Sequence, residues 1–200
     1  MTCLVMTPKK FMKKIVLLVL MAMSGTLTAG YVQAQANKLI TGNSAGVIKL
    51  GMSAVRARQL VRPMKVSKGE NVFEGDMLHR VTSGKKLVMT FIEYTKKITS
   101  IEVLDASYHT KKGAHVGMSL NALEKIYGKL KKIEYLGSEG GGPEGEFATF
   151  ADQPKGVTFK VAVNGKGRRA GIYPKGESGE HPTTKYHSGV YLKSIGVGGE

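Results

Sequence analysis

The chain has 200 residues, of which 42% are hydrophobic and 7% aromatic; 30 Lys and Arg stand against 15 Asp and Glu, giving a formal charge of +15, and there is one cysteine. An apolar share of this size fits a packed core and excludes a wholly disordered polar chain. A lone cysteine excludes both an internal disulfide framework and a thiolate zinc cluster.

The N-terminus has the layout of an export signal. Lys9, Lys10, Lys13 and Lys14 precede an unbroken apolar run from Ile15 to Met23, and Ala34-Gln35-Ala36 follows as an A-x-A cleavage pattern. Residues 1–36 are therefore expected to be removed after Ala36, leaving residues 37–200 as one exported domain, periplasmic or secreted, with no membrane span. Cys3 lies ahead of the basic cluster, so no lipidation cysteine closes the apolar run. Export also changes what the positive charge is for. Nucleic acid is not an expected partner; an envelope protein or an anionic lipid, lipopolysaccharide or cell-wall polymer is. Lysines that only solvate helix faces are the plainer explanation.

After the lead Asn37–Asn43, Gly46–Leu50 is short and extended. Gly51 allows a sharp turn, and Ser53 is placed to cap a helix over Ala54–Val61, with Ala54, Ala57, Leu60 and Val61 on one face and Pro63 beyond its end. Three strands follow, Met77–Thr82, Leu87–Tyr94 and Ile98–Leu104, joined by short turns as an antiparallel meander. Val88, Thr90, Ile92 and Tyr94 should face away from Leu87, Met89 and Phe91. His115-Val116 then leads to Gly117, and Ser119 caps a second helix whose face carries Leu120, Leu123, Ile126, Tyr127 and Leu130, with Gly128 able to end it early. Lys132–Leu136, Glu146–Phe150, Gly156–Val163 and Val190–Val197 complete the strands.

The order repeats. Gly51-Met52-Ser53 recurs as Gly117-Met118-Ser119, Thr90-Phe91 as Thr158-Phe159, and Ser100-Ile101-Glu102-Val103 as Ser194-Ile195-Gly196-Val197. The fold expected is α+β, two repeated units of a short helix followed by an antiparallel meander, over about 44–105 and 110–200. The second unit carries an added stretch, Asn164–Ser188. Its Lys166, Arg168, Arg169, Tyr173, Lys175, Lys185 and Tyr186 suit a contact loop for an acidic or anionic partner, a solvated excursion being the alternative.

Several chemistries find no support. Gly165-Lys166-Gly167-Arg168-Arg169-Ala170 fits a loose dinucleotide pattern, but Gly171, Pro174, Gly176 and Gly179 cannot open the helix it needs. Gly140-Gly141-Gly142 is ringed by Glu139, Glu144 and Glu146, which repel phosphate. His79, His109, His115, His181 and His187 have no metal-ligand spacing, so neither metal nor cofactor is expected. No nucleophile elbow occurs, and the expected activity is non-catalytic, with a hydrolase as the remote alternative.

The Gly-Met-Ser turn, short amphipathic helix and meander resemble the tandem helix-plus-sheet domains of bacterial envelope proteins. LGMSAVRARQLV and VGMSLNALEKIYG are similar to the glycine-led helix starts of the small outer-membrane assembly lipoproteins and the β-lactamase inhibitor protein fold. RVTSGKKLVMTF with SIEVLD is likewise similar to uncharacterised secreted members. The resemblance implies a binding or envelope-assembly module with an unidentified partner. It transfers no functional residue, and this chain lacks both the lipidation cysteine and the inhibitor's disulfides.

Overall fold

A computed structural model describes residues 38–137, 145–165, 168–174 and 181–198. The expected signal with Ala34 and Ala36, and the loop residues Lys166 and Lys175, lie outside the described residues. Among the described residues no helix is long and apolar enough to cross a membrane.

The elements in chain order are β1 (Leu39–Thr41), β2 (Ser44–Ala45), β3 (Ile48–Lys49), α1 (Ala54–Leu60), β4 (Lys65–Val66), β5 (Glu70–Phe73), β6 (Asp76–Ser83), β7 (Lys86–Tyr94) and β8 (Lys97–Val103), then β9 (His109–Thr110), α2 (Leu120–Tyr127), β10 (Leu130–Leu136), β11 (Gly145–Phe150), β12 (Val157–Ala162) and β13 (Tyr191–Gly198). Among the described residues the class is α+β, mostly strand with two short helices.

Both helices start as the sequence dictates. Gly51 and Gly117 turn the chain at φ +78° and +89°, a region closed to most L residues. Ser53 Oγ then accepts from Arg56 N, and Ser119 Oγ from Ala122 N, each at 3.3 Å. Val61 caps the end of α1. Gly128 (φ +73°) ends α2, so Leu130, expected on the helix face, is instead the first residue of β10.

The two turns also anchor alike. Gly51 N donates to Ile98 O at 2.8 Å and Ile98 N to Met52 O at 2.7 Å; Gly117 N donates to Leu192 O and Leu192 N to Met118 O, both at 2.8 Å. Each Gly-Met-Ser phrase is thus sewn to a strand of the large sheet, β8 or β13.

That sheet has nine antiparallel strands. Its path is β10-β11-β12-β13-β8-β7-β6-β4, and β5 also pairs with β6. The meanders on either side are joined by β8 against β13, where Ile101 faces Val197 and Val103 faces Ile195. The sheets expected against the helices are therefore one continuous sheet, because the two Ser-Ile-x-Val phrases pair with each other. A four-stranded mixed sheet, β3-β2-β1-β9, with β1 parallel to β9, joins the expected extended segment Gly46–Leu50, which contains β3, to β1 and β2, which were not expected, and to β9.

Strand alternation sends Val81, Met89, Phe91, Ile101, Val103, Ile195, Val197, Phe159, Val161, Ala148, Phe150 and Ile133 to one face, where they are buried. Ala54, Ala57 and Val61 of the first helical segment and Leu120, Leu123 and Tyr127 of the second join the same core cluster. Burial of a residue such as Leu123 contributes roughly 2–3 kcal/mol. Tyr127 packs on Phe150 and Phe159, with ring centroids 6.5 and 5.3 Å apart, while its hydroxyl meets Thr110 Oγ1 on β9. The helices and the small sheet thus lie on one side of the nine-stranded sheet.

Candidate functional site

Among the described residues no helix lies on the other side. There the outward set, including Leu78, Thr90, Ile92, Ser100, Glu102, Thr158, Lys160, Phe147, Glu134 and Leu136, lines a groove of about 590 Å³. Thr90 and Ile92 belong to the set expected to oppose Met89 and Phe91, and they do. The volume lies within the usual range of ligand sites.

The groove crosses the strands, and its chemistry changes along that line. At its centre Glu102 pairs with Gly196 on one side and Thr90 on the other. Ser194 Oγ donates to Glu102 Oε1 at 2.6 Å. Thr158 lies close over Gly196: a Cβ there would meet Thr158 Oγ1 at 2.2 Å, so the glycine makes room for the threonine side chain. One end is mostly apolar, formed by Val72, Phe73, Leu78 and Ile92 beside Asp76. A register shift between Asn71 and Phe73 accompanies the approach of two consecutive β5 residues to the same groove. The other end holds Leu136 and Phe147, with Lys160 Nζ 5.8 Å from the Phe147 ring centroid and Glu134 paired with Lys132 at 2.7 Å. Phe73 and Leu136, at opposite ends, remain 45% and 44% exposed.

The described parts of the added stretch lie elsewhere. Glu146 shares the face of Ala148 and Phe150, opposite the groove, and is 7% exposed. Its carboxylate accepts from Ala170 N, from Gly171 N at 2.8 Å and from the Tyr173 hydroxyl at 2.9 Å. Burial and this carboxylate together push the Tyr173 hydroxyl well above the ordinary tyrosine range. Arg169 lies over the Tyr135 ring at 3.9 Å and faces Tyr173 at 5.8 Å. Tyr186 places its hydroxyl between Asn121 Oδ1 and Glu124 Oε2 of α2. Thr183 exchanges two backbone hydrogen bonds with Ile133, covering part of the free edge of β10.

So of the residues expected in a contact loop, Arg169, Tyr173 and Tyr186 hold the stretch onto the domain, while Arg168 and Lys185 are exposed. The described parts of the added stretch and the groove lie on opposite sides of the sheet. Glu146, read from sequence as a phosphate-repelling neighbour of a glycine turn, is the staple of the loop. Neither this role nor that of Glu102 had a sequence signal, because both depend on which strands become neighbours.

The buried polar groups on the helix side have structural partners. His79 stacks on Phe91 at 4.8 Å, with Nδ1 at 3.2 Å from Ser67 O and Nε2 at 3.2 Å from Glu93 Oε2; Glu93 Oε1 accepts from Ala54 N at the start of α1. Among the described residues no three of His, Cys, Asp and Glu gather around a metal position.

These features define a class: an α+β protein whose long antiparallel sheet is covered by helices on one face and grooved on the other. The fold is similar to that of a solved structure, the uncharacterized protein yfeY from Escherichia coli, which aligns at a TM-score of 0.53 and 14% identity over 80% of this chain and 99% of that one. At this identity the likeness concerns the fold alone. No family model and no curated protein matches the chain.

Proposed function

We propose that the protein is an exported, non-catalytic binding module of the cell envelope that takes its partner on the grooved face of the nine-stranded sheet. The observation that carries this reading is the groove itself. One sheet face is buried under two helices and a second sheet, whereas the other leaves Phe73, Leu136 and a half-buried Glu102 uncovered. Uncovered apolar side chains rimmed by polar ones are the usual mark of a contact surface. The export pattern of residues 1–36 and the resemblance of the two glycine-led helix starts to those of envelope proteins support the compartment. The matching anchors of the two Gly-Met-Ser turns, and the matching registers Phe91–Ile101 and Phe159–Ile195, support descent of the two halves from one duplicated unit.

A photoreactive residue placed at Ile92 in the groove and, separately, at Lys125 on α2 tests the reading in cells. The expected result is a discrete cross-linked envelope component from Ile92 and none from Lys125. The reverse would overturn it in favour of the second reading, contact with an anionic surface. Exposed Arg56, Arg58, Lys125, Lys129 and Lys131 on the helix side favour that alternative.

A further inference from the structure

Resting on the groove reading, we infer that the occupant is a polypeptide segment of a partner protein that sets one lysine or arginine, flanked by apolar side chains, on Glu102. The charge of the groove opposes that of the chain. Asp76, Glu102 and Glu134 line it against Lys160 alone, in a protein of formal charge +15. Glu134 has its own cation in Lys132, and Lys160 sits by the Phe147 ring. Glu102 takes part in none of the ion pairs among the described residues, and its one side-chain hydrogen bond comes from Ser194. A half-buried carboxylate in this state gains from a cation brought to it with water excluded.

The surroundings of Glu102 suit such a cation. Thr90, Ser100 and Thr158 offer hydroxyl oxygens to the remaining N–H groups of a guanidinium or ammonium. Gly196, which lies between Glu102 and Thr158 across the strands, lets the Thr158 side chain lie close over it and so near the carboxylate's strand. Flanking apolar side chains find Phe73, Leu78 and Ile92 at one end and Leu136 and Phe147 at the other. The span points to a polypeptide rather than a small molecule. From β6 to β10 the groove crosses strands spaced about 4.8 Å apart, close to 30 Å in all, the reach of about nine extended residues.

The test is selection of random twelve-residue peptides on the purified chain, followed by calorimetry of the synthesised winners. The expected winners carry Lys or Arg between apolar residues. Changing that cation to Gln weakens binding at least tenfold, Glu102→Gln does the same, and the two changes together cost little more than either alone. Arg58→Ala on α1 leaves binding unchanged. Glu102→Gln keeps the Ser194 hydrogen bond; should it nevertheless fail to fold, Thr158→Lys, which sets a competing cation beside Glu102, is expected to give the same loss. Acidic or purely apolar winners, no winners, or binding indifferent to Glu102→Gln and Thr158→Lys would overturn the inference. Where winners bind without Glu102, the groove reading survives if Ile92→Arg and Phe73→Ser abolish that binding and falls if they do not; with no winners, it stands or falls on the Ile92 cross-link.

Discussion

Replacing Glu146 by Gln tests how the added stretch is held. The carboxylate presents acceptors to three donors, Ala170 N, Gly171 N and the Tyr173 hydroxyl, in a site 7% exposed. A carboxamide keeps only one oxygen. If that oxygen stays with Gly171 and Tyr173, its NH2 group confronts the Ala170 N–H and leaves a buried donor unsatisfied, at about 1–3 kcal/mol. Loss of charge assistance on the surviving bonds adds about 1 kcal/mol. A total of about 3 kcal/mol corresponds to a fall of about 6–12 °C in Tm for a domain of this size. Tyr173→Phe, which removes one donor and leaves the carboxylate in place, is expected to cost about 1 kcal/mol. Thermal melting gives the total, and amide hydrogen exchange locates it: Ala170 and Gly171 should be protected in the unaltered chain and lose protection in Glu146→Gln. Unchanged melting together with unchanged exchange at those two amides would refute the staple.

Three further outcomes follow from the core and its titrating groups. Tyr127→Phe loses the hydroxyl contact with Thr110 and is expected to cost about 1 kcal/mol, whereas Tyr127→Ala, which empties the space against Phe150 and Phe159, should cost about 3–5 kcal/mol by denaturant unfolding. Tyr108, Tyr127, Tyr173 and Tyr186 are all raised above the ordinary value of 10.0, each mainly by burial. Above that value the unfolded chain releases protons that the folded chain retains, so stability present below pH 10 should fall as pH rises through the folded values; ultraviolet titration should show these tyrosines ionising late or only on unfolding. For Asp105 burial alone would raise the carboxyl, but Lys86 at 2.7 Å and the Ser107 amide at 2.7 Å outweigh it and hold it below the usual aspartate value. Its contribution is therefore present above the unfolded value and lost as pH falls through the folded one, and Asp105→Asn should flatten the acid limb of the stability curve.

Local chemistry was legible and long-range pairing was not. The Gly-Met-Ser turns, their serine caps and the strand Leu87–Tyr94 follow from backbone preference, capping and β-branched content, which act within a few residues. Expected Ala54–Val61 and observed Ala54–Leu60 differ by one residue. The strand Glu70–Phe73 escaped notice because all four of its residues are exposed and no apolar alternation marks it. Of the small sheet only β3, inside the extended Gly46–Leu50, was legible, because its strands have two or three residues each and β1 finds its parallel partner in β9, far along the chain. The groove is a consequence of β8 meeting β13. In the sequence Glu102 is one acid in an alternating strand and Gly196 one glycine in another; only their pairing sets a glycine, with Thr158 close over it, beside the carboxylate. The added stretch shows the converse. Its basic and aromatic residues were visible, but their use was not, since Arg169, Tyr173 and Tyr186 answer to Tyr135, Glu146 and α2 rather than to a partner.

The central claim is that the grooved face makes the contact. Methyl-detected NMR of the chain bound to its cross-linked envelope partner tests it most directly. The groove methyls of Leu78, Ile92 and Leu136 should shift on binding, while those of Val55 on α1 and Ile172 in the added stretch stay in place. Shifts at Val55 or Ile172 with the groove methyls unmoved would contradict it.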